Sequence, residues 1–136
     1  MEVKSIISEA IKLGACQKSS KASDWKSLAW LLFSPQGREF CASHNFPSLE
    51  AFRGMPESIS EYGVYVDDVV EAHNADVALI GEGESVLRYD GTDKPYKVML
   101  MHGANARIYA ANYAVVNVCN ISGDYEVFND GTATIL

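Results

Sequence analysis

The sequence has little of what would place the protein in several common classes. Its 136 residues include only three cysteines, Cys16, Cys41 and Cys119, without the even number and spacing of a disulfide framework. The longest strongly apolar run, 28–33, is far shorter than the ~20 residues that span a bilayer. The first residues, MEVKSIISEAIKLG, mix acidic with apolar residues, unlike a signal peptide. We therefore expect a cytoplasmic protein with reduced thiols.

Positive charge is scarce in the second half of the chain. Residues 61–136 hold four Lys and Arg against twelve Asp and Glu, whereas residues 1–60 hold seven against six. The halves therefore carry −8 and +1, which sum to the net charge of −7. A surface of this sign repels nucleic acid and anionic lipid and attracts basic proteins. We expect neither nucleic acid nor a membrane as a partner.

The acidic residues concentrate between Glu61 and Asp93, where nine carboxylates accompany Arg88 alone. We interpret part of this segment as a surface that binds a basic protein. The predicted contact residues are Asp67, Asp68, Glu71, Glu82 and Glu84. The alternative is a solvated surface that only keeps the protein soluble.

Residues 1–62 have the pattern of short helices. Apolar residues recur at helical spacing from Val3 to Leu13, and Gly14 favours an end to that helix. Three later helix starts share a capping side chain or a proline: Ser23 or Asp24, Ser34-Pro35, and Pro47-Ser48. The polar stretch 17–23 between the first two helices is predicted to be a loop.

After Gly63 the pattern changes to eight short runs in which apolar residues mostly alternate, separated by corners rich in Gly, Asn and Asp. The runs are GVYVDD, ADVALIG, SVLRYDG, KVMLM, ARIYA, AVVNVC, YEVFNDG and TATIL. Such alternation turns one face of each strand toward a core. The predicted inward positions, spaced by about nine residues, are Val77, Leu87, Val98, Ala106, Val116, Tyr125 and Ala133. Short strands at this interval indicate a sandwich, a barrel or a solenoid.

A small repeat, Ala-x-(Val/Ile), helps to distinguish these folds. Its copies begin at Ala75, Ala106, Ala114 and Ala133, and the gaps of 31, 8 and 19 residues are close to three, one and two strand units. Few corners have the Asn-Gly or Asp-Gly form of a tight hairpin. A solenoid needs small residues where the chain turns inward and asparagine at its corners. The predicted corner asparagines are Asn74, Asn105, Asn112 and Asn120.

We therefore predict an α+β single domain, in which short helices of residues 1–62 cap a β-solenoid, or parallel β-helix, of residues 63–136. An antiparallel β-sandwich is the alternative. Helices ending in HNFPSLEAFRGM, then EYGVYVDD, then strands with Asn-Ala corners resemble a loose group of small bacterial and phage-associated proteins. The resemblance implies the same order of helices and solenoid, and it assigns no activity and no site residues.

No set of residues predicts a catalytic or metal site. Cys41 and His44 are residue types that bind metals, but a structural zinc site needs four ligands and no second pair lies nearby. Residues 81–85, GEGES, lack the Gly-Lys-Ser/Thr ending of a phosphate loop, so we predict a turn there. Asp67-Asp68 lacks the spacing of a calcium loop. We predict no cofactor.

The sequence favours a non-enzymatic module that binds a protein partner. A phage or mobile-element role, in which an acidic protein blocks a basic host factor, is consistent with the charge. The alternative is a small enzyme with Cys or His chemistry where the helices and the solenoid meet. We also predict a homodimer through the last strand, because Ala133 and Ile135 continue the apolar alternation to an uncapped end.

Overall fold

The computed structural model describes residues 2–15 and 23–136. The chain divides into two compact units, Met1–Val64 and Tyr65–Leu136, close to the boundary predicted after residue 62. The first unit is helical, and the second consists of parallel strands in two sheets. Cys16 and most of the predicted loop 17–23 lie outside the described residues.

The helical unit begins its helices where the sequence predicts them. The helices are α1 (Val3–Lys12), α2 (Trp25–Phe33), α3 (Pro35–His44), α4 (Leu49–Arg53) and a 3-10 helix (Glu57–Tyr62). The side chains of Asp24, Ser34 and Ser48 accept hydrogen bonds of 2.8, 3.1 and 3.1 Å from backbone N–H groups of the first turns of α2, α3 and α4. Gly14, with φ of +108°, follows α1 as predicted.

Nine short strands follow the helices. They are β1 (Val64–Val66), β2 (Glu71–His73), β3 (Val77–Ile80), β4 (Glu84–Tyr89), β5 (Tyr96–Met101), β6 (Asn105–Ala110), β7 (Val115–Asn120), β8 (Asp124–Asn129) and β9 (Thr134–Ile135). Eight of the nine coincide with predicted runs, and β2 was missed. Its three residues, Glu-Ala-His, have no apolar alternation, and β2 is held by its parallel pairing with β4.

Successive strands alternate between two sheets. The five-strand sheet has the order β1-β3-β5-β7-β9, and the four-strand sheet has the order β2-β4-β6-β8. The paired strands run parallel in both sheets. The antiparallel sandwich is therefore wrong, because each corner carries the chain into the other sheet instead of back along the strand it has just left.

Side chains from both sheets form one apolar cluster. Of the predicted inward residues, Tyr125 and Ala133 are partly buried against this cluster, and the other five belong to it with 1% exposure or less. The register places equivalent residues in columns: Ile108 lies opposite Leu87 on one side and Val127 on the other. The predicted inward face is confirmed.

The repeat Ala-x-(Val/Ile) follows the strand order. Ala106 lies in β6, Ala75 lies two residues before β3, and Ala114 and Ala133 lie directly before β7 and β9. The gaps therefore correspond to three, one and two strands as predicted. Asn74 and Asn112 occupy corners with φ of +51° and +53°. Asn105 and Asn120, by contrast, begin β6 and end β7. The positive-φ positions between β5 and β6 belong to His102 and Gly103 instead.

We expect Ile108→Ala to lower the free energy of unfolding by about 2–5 kcal/mol, since Ile108 has 0% exposure and its truncation leaves a cavity between Leu87 and Val127. Urea denaturation measures the change. Arg107→Ala is the control, because Arg107 is the neighbour of Ile108 in the chain and its side chain faces solvent. This substitution should lower the free energy of unfolding by less than about 1 kcal/mol. Equal losses in the two variants would contradict the assignment of the inward face.

Candidate functional site

The predicted partner-binding carboxylates lie in and after two neighbouring corners, and all are exposed. Asp67 follows β1, and its Oδ1 accepts a hydrogen bond of 2.9 Å from the backbone N–H of Glu82 in the corner after β3. The backbone of Gly83 lies so close to the carbonyl oxygen of Asp68 that a Cβ would overlap it. The structure therefore brings Asp67, Asp68 and Glu82 together, and we call these residues the acidic corner.

The other two predicted residues begin strands of the four-strand sheet. Glu71 begins β2, opposite Val86, and Glu84 begins β4. Oε1 of Glu84 lies 3.1 Å from Nε of Arg107. The sequence did not predict this ion pair, because the two residues are far apart along the chain. The pairing of β6 with β4 brings Arg107 there, so Glu84 is a weaker candidate for binding a basic partner than expected.

Two further carboxylates of the acidic segment also contact side chains of other residues. Asp76 Oδ2 lies 3.3 Å from Lys94 Nζ, and Asp90 Oδ1 lies 2.8 Å from His73 Nε2. Asp68, Glu71 and Glu82 are the predicted residues that stay exposed without a side-chain ion pair among the residues described. They are the strongest part of the predicted surface.

A column of planar side chains on the outer face of the four-strand sheet was missed. The register places His73, Arg88, Tyr109 and Phe128 opposite one another in successive strands. The guanidinium carbon of Arg88 lies 4.8 Å from the centroid of the Tyr109 ring, and the Tyr109 and Phe128 rings stack with centroids 4.8 Å apart at 16°. Both distances match the spacing of adjacent strands. We call these four residues the planar ladder.

The sequence did contain a signal for the planar ladder. Arg88, Tyr109 and Phe128 lie 21 and 19 positions apart, which are the pairing offsets of β4 with β6 and of β6 with β8. An open groove borders the ladder, and its lining includes Asp90 and Asp130. The groove therefore places carboxylates beside exposed planar groups.

Hydrogen bonds between corners hold Asp90 and Asp130. Asn74 Oδ1 accepts from the backbone N–H groups of Asp90 and Gly91 at 2.9 and 3.2 Å, and Asn74 Nδ2 donates to Asp90 Oδ1 at 2.9 Å. Asn112 Nδ2 donates to the carbonyl oxygen of Asp90 at 2.9 Å, and its backbone N–H donates to Asp130 Oδ2 at 3.3 Å. The corners thus form a continuous network along the stacked strands.

The network lowers the pKa values of both carboxyl groups. The hydrogen bond from Asn74, followed by that from His73, holds the pKa of Asp90 below its ordinary value. The hydrogen bonds that Thr132 donates through its side chain and backbone lower the pKa of Asp130. Both groups are therefore anions at neutral pH.

The predicted self-association residues lie at the end of the five-strand sheet. Ile135 is in β9, the last strand, and is partly buried against the apolar cluster. Ala133, just before β9, has its backbone N–H and carbonyl bonded by the Asn129 side chain at 3.1 and 2.8 Å. These bonds occupy the backbone groups that strand pairing at Ala133 would use. The homodimer stays a prediction.

The residues of the enzyme alternative lie in the helical unit. Cys41 is 2% exposed and lines a pocket of about 190 Å³ between helices. Its other described lining residues include no second titratable side chain. The His44 ring lies 4.4 Å from the Phe40 ring and is not part of this lining. The enzyme alternative stays a prediction.

No group of three or more His, Cys, Asp or Glu within 2–15 and 23–136 is arranged to hold a metal ion. None of the described helices has the length and apolarity to cross a membrane. Comparison of the chain with protein-family models, curated proteins and solved structures gives no match.

We expect Asp90→Asn to reduce the acid sensitivity of unfolding. A carboxylate whose folded pKa is lowered contributes stability above its unfolded pKa of about 4, and that stability is lost as the pH falls through the folded value. Because the pKa of Asp90 is lowered in this direction, the free energy of unfolding should fall less steeply below about pH 4 in the variant. Urea denaturation across the acid range measures the slope.

The control is Asp68→Asn, which removes an exposed carboxylate outside the corner network. Its pH profile should follow the wild type below pH 4. Asp90→Asn and wild-type profiles that run parallel would contradict the role of Asp90.

Proposed function

We propose that residues 63–136 form a two-sheet β-solenoid in which each coil contributes one strand to each sheet. The alternation of strands between the sheets supports this interpretation. So do the offsets between paired residues: Glu84 pairs with Asn105, and Asn105 with Asp124, 21 and 19 positions apart. Inward columns, corner hydrogen bonds and the planar ladder all recur at that interval, as expected for stacked repeats.

A deletion of one coil tests the solenoid. Removal of residues 84–104 joins Gly83 to Asn105, which occupies the position of Glu84 one coil later. Because β6 then stands where β4 stood, we expect a shorter protein that still unfolds cooperatively, with lower stability. Circular dichroism and urea denaturation measure this outcome.

The matched control removes residues 84–95, which deletes β4 and its corner without deleting a strand of the other sheet. That deletion shifts every later strand into the wrong sheet and should prevent folding. A folded control, or an unfolded one-coil deletion, would contradict the solenoid.

We propose that this solenoid is a non-enzymatic interaction module that binds a basic protein. The observation that supports the proposal is the acidic corner, where Asp67, Asp68 and Glu82 from two corners meet at an exposed position. Glu71 adds an exposed carboxylate at the start of β2. These contacts hold the backbone of the three residues in one place, so their carboxylates together present a negative surface to a partner.

The charge of the whole second half supports the same partner class. Residues 61–136 carry four basic and twelve acidic residues, a balance of −8. A potential of this sign accelerates encounter with a basic protein and disfavours acidic competitors. Blocking of a basic host factor by a phage or mobile-element protein is one role that such binding would serve.

Charge reversal at Asp68, Glu71 and Glu82 tests this function. We expect the triple change to Lys to reduce capture of the native partner by roughly tenfold or more, because attraction becomes repulsion at the contact. Thermal stability should change little, since these side chains are exposed and form no ion pair among the described residues. Affinity capture from the native host, with identification of the bound protein, measures the effect.

The control reverses Glu9, Glu57 and Glu61, three exposed acids of the helical unit, and changes the net charge by the same amount. It should retain capture at physiological salt. Equal loss of capture in both triple variants would show that capture depends on the net charge of the chain and not on Asp68, Glu71 and Glu82. A captured partner without a basic surface would overturn the proposed function.

A further inference from the structure

The four-strand sheet ends in an open edge at β8. Among the residues that the structure describes, this strand pairs with β6 on one side only. The backbone N–H groups of Asp124 and Asp130 donate to β6 and its flanking residue, at 2.9 and 3.1 Å to the carbonyls of Ala104 and Ala110. Because alternate N–H groups of a strand point to opposite sides, those of Val127 and Asn129 point away from the sheet. The outward N–H of Tyr125 is already bonded to Asp124 Oδ1 at 2.9 Å. The edge is therefore a template for one more strand along residues 127–129.

The planar ladder also ends at this edge. Phe128 presents one ring face to Tyr109. The residue is 44% exposed, because no further strand lies beyond β8 among the described residues. Two strands earlier, the guanidinium of Arg88 lies over the Tyr109 ring in the same manner. In this column a planar cation and a second aromatic ring each lie against an aromatic ring.

The charge of the open edge has one sign. Asp124, Glu126 and Asp130 lie on β8 or directly after it, and residues 108–136 contain no Lys or Arg. Their acidity disfavours a second copy of this chain, because a two-fold contact through β8 would bring the same carboxylates together. It favours an occupant with the opposite charge.

We propose that an extended arginine-containing segment of the partner pairs with the free edge of β8 and becomes the fifth strand of that sheet. The inference rests on the proposed function and specifies how the basic partner is held. One arginine guanidinium of the segment stacks on Phe128, and neighbouring cations face Glu126 and Asp124. Strand addition of this kind derives affinity from main-chain hydrogen bonds and specificity from alternate side chains.

The alternation of β8 defines the sequence that fits. Asp124, Glu126 and Phe128 face outward, whereas Tyr125 and Val127 pack against the apolar cluster and remain partly exposed. A bound strand should therefore carry Arg at every second position for the outer face and an apolar residue between them. The probe is an eight-residue peptide of alternating Arg and Val, titrated against the full chain by fluorescence anisotropy.

Variants of β8 test the site. We expect saturable binding that Phe128→Ala weakens about threefold to fivefold, the loss typical of one exposed cation–π contact. Glu126→Lys should weaken binding roughly tenfold, because it puts a cation opposite the peptide's arginines. Glu57→Lys, an equal charge change in the helical unit, should shift the affinity by less than about twofold. A peptide with Lys in place of Arg should bind more weakly and lose less on Phe128→Ala.

Methylation of peptide amides tests strand pairing directly. Methyl groups on the amides of one alternate set, either all Val or all Arg, block one edge of the strand and leave the other edge free. A peptide methylated on one set can still present its free edge, because reversing the direction of the strand exchanges its two edges. A peptide methylated on both sets keeps its charge and has no free edge, so it should lose binding. Retained binding of that peptide would overturn strand addition, since simple charge attraction does not require amide hydrogen bonds.

Other outcomes separate this inference from the proposed function. Peptide binding that is unchanged by Phe128→Ala and Glu126→Lys, but lost on reversal of Asp68, Glu71 and Glu82, overturns the β8 site and leaves the basic partner standing. If the peptide does not bind at all but the protein still captures a basic native protein, the β8 site is likewise overturned and the proposed function stands. A wild-type dimer in sedimentation that Phe128→Ala dissociates would make a second copy the occupant and would overturn the inference.

Discussion

Parallel pairing of each strand with the second strand after it is the constraint on which the rest of the second unit depends. The pairing places like residues one above another, so that Leu87, Ile108 and Val127 form one inward column. The same register stacks Tyr109 on Phe128 on the outer face. Core, corners and surface therefore share one interval, and a change of register would disturb all of them at once.

Local chemistry made most of the fold predictable from the sequence. Asp24 and Ser34 are helix caps whatever their tertiary surroundings, and alternating apolar residues predict strands wherever they are buried. The strand β2 could not be predicted in this way, because Glu71, Ala72 and His73 form a strand only through their pairing with β4. The prediction that Asn105 lies in a corner was wrong for a related reason. Its pairing with β4 overrides the turn preference of a single asparagine.

The sequence predicted the acidic composition of the candidate site, but it did not predict which side chains form ion pairs there. The excess of carboxylates is visible in the sequence, but Arg107 reaches Glu84 only because β6 lies beside β4. The planar ladder shows the opposite case, since the spacing of Arg88, Tyr109 and Phe128 already matches the offset between paired strands. Surface columns in repeated folds are thus found by searching at the repeat length, once that length is known.

The corner between β4 and β5, residues 90–95, separates those strands by more residues than the corner at 81–83. Both of its ends are held by the corner between β2 and β3, residues 74–76. Asn74 Oδ1 accepts from the backbone N–H of Asp90, and Asp76 Oδ1 accepts from that of Lys97 at 2.9 Å. Between these anchor points, residues 92–95 are exposed. The anchors, rather than the length of the loop, keep the flanking strands aligned. This corner is where the protein can acquire or display new peptide sequence during evolution while its stacked strands stay in place.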